Sequence, residues 1–227
     1  MAAAHMRASG LLRQGLVMRV DRRSFWFLDA VVESRENLAV LGSLDIEVIT
    51  NRRTHGLEAR ELAPMLASLC EAGLIEVTRE DSDGRARSLP EIESAFAMSQ
   101  CKPGHYSGFW YGLTSEGGAA WESMTRADWS RYSKGWSDGE EHCLEAGGHE
   151  LAEEEFARWS SQPSRVLVPG SAVWKVMQPW SATYWKTVPL GFQVRYWAKR
   201  GKWDGVAEWI WERRHPVQRP WYEQPEF

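Results

Sequence analysis

The sequence is poor in cysteine, and its three (Cys70, Cys101 and Cys143) are scattered with no Cys-x-x-Cys pair. An odd, dispersed set cannot build a disulfide framework and points to reduced thiols in a cytoplasmic protein. No run approaches the ~18 consecutive apolar residues of a membrane-spanning helix. No Gly-x-Ser-x-Gly elbow, phosphate-binding loop or dinucleotide glycine fingerprint occurs, so the common hydrolase, NTPase and dehydrogenase chemistries have no foothold. There is no internal repeat and no long low-complexity tract. The opening "MAAAHM" lacks the apolar stretch of roughly 7–15 residues that a signal peptide needs. Residues 1–18 read as a vector-derived leader, with Met6 or Met18 nearer the native start.

Large net charge is also missing. The formal charge of −4 over 227 residues argues against a protein that coats nucleic acid. The distribution is more telling than the sum. Asp138 to Glu155 holds eight acidic residues and no Lys or Arg, whereas Arg158 to Arg219 holds eleven Lys or Arg against three acids. Tryptophan is what the chain has in excess: fourteen, nine of them from Trp159 onward. Its large ring and single N–H donor suit a core and an interface equally.

Along the chain, Ser24 to Asn37 carries an apolar block behind a Ser cap and predicts a helix. "LAVLGSLDIEVITNRRTHG" follows, with a short helix in it. In "LEARELAPMLASLCEAGLIEV", Leu62, Met65, Leu66, Leu69 and Cys70 share one helical face. Pro64 is tolerated in a first turn, which sets the helix start near Arg60 or Glu61. Gly73 is the stop, and "LIEVT" turns to strand. "DSDG" marks a turn, "LPEIESAFAMS" a second helix and "GHYSGFWYGLT" a strand. "SEGGAAWESM" opens a helix, with Ser115 as its cap and Glu116 at its positive end. Polar, glycine-containing residues 138–149 read as an acidic linker, followed by the helix "HELAEEEFARW". Short strands ("RVLV", "AVWKV", "FQVRYWA") come next, and "WDGVAEWIWERR" closes as a helix.

Two phrases, "ELAPMLASLCEAGLIE" and "YGLTSEGGAAWE", make residues Ser24 to Arg131 resemble the winged helix-turn-helix domain of small bacterial regulators. In that family an aromatic-x-Leu-Thr-x-x-Gly phrase runs from the last wing strand into a closing helix. Leu113, Thr114 and Gly117 occupy those places, with Trp121 beyond them. The departure is the wing: about thirty residues, rather than a short hairpin, separate "LIEVT" from "GFWYGLT". The resemblance implies duplex DNA as a partner, read by the helix before "GLIE" and steadied by basic residues on phosphate. The residues placed for it are Arg52, Arg53, Arg60, Arg85 and Arg87. Glu58, Glu61 and Glu71 share that helix, and carboxylates are repelled by phosphates.

Constellations for other chemistry fall short. With Asp81 first, a calcium loop would need Gly and a carboxylate where Ala86 and Ile92 stand. His142, Cys143 and His149 match no zinc spacing. Cys101 with His105 lacks a third, orienting group. No catalytic, cofactor or metal residue is assigned, and none of these groups is expected.

The sequence therefore predicts an α+β protein in two parts. A winged-helix-like domain spans 19–137, the acidic linker 138–149, and a smaller tryptophan-rich α+β domain 150–227. Aromatics interleaved with Lys175, Lys186, Arg195, Lys199 and Arg200 suit an interface, because Trp, Tyr and Arg dominate interface energetics. Trp185, Trp197, Arg200, Trp203 and Trp209 are the candidate protein-binding residues. The expected function is non-enzymatic binding of another protein, as a regulator or toxin-neutralising partner. Duplex DNA binding is the alternative, and an unrecognised enzyme the third reading.

Overall fold

Short-range capping starts the fold. The Asp21 carboxylate accepts from the Ser24 N–H at 2.8 Å and opens helix α1 (Arg22–Ala30). The computed structural model describes residues 20–50, 52–80, 83–102, 105–202 and 221–227. Helix α1 ends several residues before Asn37, because Glu36–Asn37 is drawn into a strand, β1, paired with Tyr111 and Trp110. Two short helices follow, α2 (Leu38–Leu41) and α3 (Ile46–Thr50).

Helix α4 (Ala59–Glu71) starts slightly earlier than its sequence suggests. Glu58 and Glu61 form a reciprocal capping box that begins the helix ahead of Arg60 and places Pro64 inside it. Leu62, Leu66 and Leu69 are buried on the predicted face. The helix stops at Gly73, whose φ of +73° only glycine adopts without strain. Strand β2 (Ile75–Arg79) follows, then β3 (Arg85–Ala86) and helix α5 (Leu89–Met98), opened by a Ser88–Glu91 capping box. A small hairpin of β4 (Gln100–Lys102) and β5 (His105–Ser107) precedes β6 (Phe109–Leu113). The four-stranded sheet runs β1-β6-β2-β3, so the long insertion in the expected wing holds α5 and the β4–β5 hairpin.

Thr114, not Ser115, caps helix α6 (Ser115–Thr125). Its hydroxyl accepts from the Gly117 N–H at 3.0 Å and donates to the Gly73 carbonyl at 2.6 Å, tying the end of α4 to the start of α6. Trp121 on α6 is fully buried in the first core, with Phe27, Leu28, Leu66, Leu69 and Tyr111.

The second half is also mixed α and β, but the segment expected as a linker is structured. Strand β7 (Ser133–Asp138) turns into β8 (Glu141–Ala146), an interior strand of a second sheet. Its acids alternate with His142, Leu144 and Ala146, which are buried, so the polar composition concealed a two-residue period. Helix α7 (His149–Ser160), β9 (Arg165–Leu167), β10 (Val173–Met177), a hairpin of β11 (Trp180–Ser181) with β12 (Thr187–Val188), and β13 (Gly191–Arg200) complete the order. The sheet runs β10-β13-β8-β7, with β9 also on β13. Among the described residues no helix is long and apolar enough to cross a membrane.

The halves are not separate in sequence. Trp129, Trp185, Trp221 and Tyr222 pack on the first core, while Tyr132, Trp180 and Ala182 form a small cluster beside it. The C-terminal residues return to α6: the Trp221 carbonyl accepts from the Asp128 N–H, and the Glu223 N–H donates to the Thr125 carbonyl, both at 2.8 Å. Interleaved aromatic rings thus join the residues on either side of the expected boundaries at 137 and 150.

Glu145 organises one side of that junction. Its carboxylate accepts from Trp180 Nε1 at 2.9 Å and Gln193 Nε2 at 2.7 Å, with Lys134 Nζ at 3.4 Å. Burial pushes its carboxyl up, but those hydrogen bonds and the ammonium outweigh it and hold the group below the ordinary 4.5. A depressed carboxyl contributes stability above its unfolded-state pKa and loses it as pH falls through the folded value. Glu145→Gln is thus expected to cost about 1 kcal/mol at neutral pH, a gap that closes on acidification. Urea denaturation across pH checks it; a gap that widens in acid would refute this role.

Candidate functional site

The basic residues expected on DNA stand in different surroundings. Arg52 turns inward and pairs with Asp29, a carboxylate only 7% exposed. Arg60 pairs with Glu58 at 2.9 Å on the surface. Arg53 is exposed, and its carbonyl accepts from Trp26 Nε1 at 2.7 Å. Arg85 and Arg87 are exposed on either side of buried Ala86, at the far edge of the first sheet.

The predicted protein-binding residues divide differently. Trp185 is an internal bolt: its Nε1 donates to the Val32 carbonyl at 2.8 Å, and its ring covers Gly118 so closely that a Cβ there would lie 2.1 Å away. It is therefore not free for a partner, because the ring is needed to join the two halves. Trp203 and Trp209 lie outside the described residues. Trp197 and Arg200 both sit exposed on β13.

The register explains this surface. Along β13, Val194, Tyr196 and Ala198 are buried, whereas Arg195, Trp197 and Lys199 point to the opposite side of the sheet. Helix α7 covers the first face, with Phe156 packed edge-on to Tyr196 at 5.0 Å. No helix of comparable length lies on the second face among the described residues; Trp180 and the β11–β12 hairpin cover only its Glu145 end. One row across the open part reads Trp136, Cys143, Arg195 and Val173 from β7 to β10. The Arg195 guanidinium lies 5.7 Å from the Trp136 ring and 3.7 Å from Glu141.

Strand β10 forms the edge of the sheet, and its apolar side chains stay open on both faces. Val173, Trp174 and Val176 are 65%, 41% and 56% exposed, Trp197 on the adjacent β13 is 49% exposed, and Trp136 on the opposite edge is 45% exposed. Such a concentration on an unpaired edge is what stable monomers avoid. Lys175 at the middle of β10 and Lys199 on β13 have no carboxylate partner among the described residues. Below this face Cys143 is buried, and burial together with the Glu145 carboxylate pushes its thiol up despite Arg195. It stays a protonated thiol, so the surface offers contact area and charge rather than a nucleophile.

Of the exposed apolar residues on this sheet, the sequence reading singles out Trp197 and not Trp136, Val173, Trp174 or Val176. A signal for the edge was present: "AVWKVM" is β-branched and aromatic, carries one lysine, and lies between Pro169 and Pro179. The opposite edge gave no comparable sign, because Trp136 stands among polar residues. Comparison of the chain with protein-family models, with curated proteins and with solved structures finds no match.

Proposed function

We propose that this is a non-enzymatic binding protein that captures an extended segment of a partner protein as an added strand on β10. The observation that carries the reading is the unpaired β10 edge, with exposed Val173, Trp174 and Val176 on it and Trp197 beside it. An added strand would take its hydrogen bonds from the β10 backbone and its selectivity from side chains on alternate faces. Lys175 decides the chemistry of that strand. A second copy paired antiparallel about the centre of β10 would set Lys175 against Lys175, which like-charge repulsion disfavours. An acidic, apolar segment would instead meet Lys175 with opposite charge.

The first half serves as the scaffold in this reading, and we infer that it is winged-helix-like. The order of α4, Gly73, β2 and β6, with Thr114 and Gly117 leading into α6, supports that assignment. Arg52, drawn into its ion pair with Asp29, weakens the case for duplex DNA.

The test uses short synthetic peptides alternating Asp or Glu with Val, Ile or Tyr, measured by fluorescence polarisation. Acidic peptides are expected to bind and to slow amide exchange at residues 173–177. Trp197→Ala should weaken them about thirtyfold, or about 2 kcal/mol, without lowering Tm. Equal binding of lysine-substituted peptides, or protection elsewhere, would overturn the reading. Retention of random duplex DNA that fades steeply with salt would replace it with the DNA-binding alternative.

A further inference from the structure

The face of the second sheet that α7 covers is incompletely filled. Near the last turn of α7 it leaves a cleft of about 140 Å³, lined by Ser137, His142, Leu144, Trp159, Arg165 and Tyr196 among others. Two guanidinium groups stack on the Trp159 ring there, Arg165 at 4.8 Å and Arg158 at 5.0 Å. Their charges are handled differently. Arg158 is ion-paired with the buried carboxylate of Glu155, which also accepts from Trp159 Nε1 at 3.0 Å. Arg165 has no carboxylate partner among the described residues; its Nη1 lies 3.1 Å from His142 Nδ1, and it also donates to the Tyr196 hydroxyl.

That contact fixes the state of the imidazole. Burial and the adjacent Arg165 charge both push His142 down, so the ring is neutral near pH 7 and Nδ1 accepts from the guanidinium. The Tyr196 ring stacks on His142, with centroids 5.2 Å apart and planes 18° apart. The Tyr196 hydroxyl is pushed up by burial, against the pull of Arg165, and remains a donor. No acidic side chain lines the cleft. It therefore presents one positive charge with no carboxylate on it, hydroxyl groups, and walls of Leu144 and aromatic rings.

We propose that this cleft binds a small monocarboxylate with an apolar or aromatic body, its carboxylate forked by Arg165. A guanidinium matches a carboxylate with two parallel hydrogen bonds, and one unpaired charge balances one carboxylate. A phosphate dianion would bring more charge than the cleft neutralises. An apolar cavity of about 150 Å³ is enough to hold a benzene ring, so a ring-bearing acid fits the space. The site is on the α7-covered face and does not depend on strand capture at β10.

Benzoate is the probe, with benzamide and inorganic phosphate as comparisons, titrated by calorimetry and by the His142 ring signals in NMR. Benzoate is expected to bind at one site and shift the His142 signals, with benzamide and phosphate at least about tenfold weaker. Arg165→Gln should abolish the shift, and Arg165→Lys, which keeps charge but loses the fork, should weaken binding in part. Lys175→Ala, remote on β10, should leave it unchanged. Equal binding of benzamide, equal or tighter binding of phosphate, or undiminished benzoate binding by Arg165→Lys would overturn the proposal. Arg165→Lys also decides the matter should Arg165→Gln fail to fold.

Discussion

Gly117→Ala is expected to destabilise the protein by about 3 kcal/mol or more, the reverse of what helix propensity predicts. In an exposed helix the same change stabilises by about 1 kcal/mol. Gly117 is not exposed; it lies in the first turn of α6, pressed onto the segment that ends α4. A Cβ there would stand 1.7 Å from the Leu74 carbonyl oxygen, far inside contact distance. The obstacle is backbone, and that carbonyl also accepts from the Thr114 N–H at 3.2 Å, so it cannot simply swing aside. Relief requires α6 to lift off β2, pulling Trp121 from the core. Overpacking costs of about 1–3 kcal/mol arise where side chains can adjust, and a backbone clash belongs at or above that range. Gly42 provides the control, since a Cβ added there would meet nothing within 4 Å and its φ is negative. Guanidinium denaturation should find Gly42→Ala within about 0.5 kcal/mol of wild type. Equal stabilities for the two variants would mean that α6 does not rest on Leu74.

That glycine illustrates which parts of the fold are legible in the sequence. The apolar stripe of α4, its stop at Gly73 and the switch to β2 are local signals, and all three are present. The Leu-Thr-x-x-Gly phrase is also local in origin, because Thr114 must cap and Gly117 must be small for α6 to start against Leu74. Non-local pairing is what the sequence conceals. Residues 138–149 look like a linker until Glu145 is seen to collect Trp180 and Gln193 from distant strands. Trp185 and Trp197 carry the same side chain twelve positions apart, yet the bend between β11 and β12 sets one against α6 and the register of β13 sends the other to the open face. Arg52 has the composition of a phosphate contact and the location of a buried ion-pair partner. The Arg165 cleft draws on β7, β8, α7, β9 and β13, a convergence no spacing could indicate.

Asp29→Ala is the second large effect, about 3 kcal/mol lost, because three donors converge on the Asp29 carboxylate. Trp121 Nε1 donates to Oδ1 at 2.9 Å, the Arg52 guanidinium pairs with Oδ2, and the Tyr222 hydroxyl lies 3.4 Å from Oδ2. Burial opposes the charge on Arg52, and the Asp29 carboxylate and the Tyr222 hydroxyl together more than offset it. Alanine would therefore leave a buried indole N–H without its acceptor and a partly buried guanidinium without its ion-pair partner, the costly way to break such a pair. Asp29→Asn keeps an oxygen for the indole but no charge for Arg52, so its cost should fall between wild type and alanine. Replacing Arg52 as well, in Asp29→Ala with Arg52→Met, should recover part of the loss, because the stranded charge goes with its partner. The residues at 221–222 pack on the Trp121 ring, at 5.4 Å for Trp221 and 4.9 Å for Tyr222, so loss of Asp29 should also loosen this C-terminal strap. Denaturation of the single and double variants measures the coupling, and amide exchange at Glu223 measures the strap. Additive losses, or an Asp29→Ala cost below about 1 kcal/mol, would mean that the aromatic rings alone hold the two halves together and that the ion pair only fills space between them.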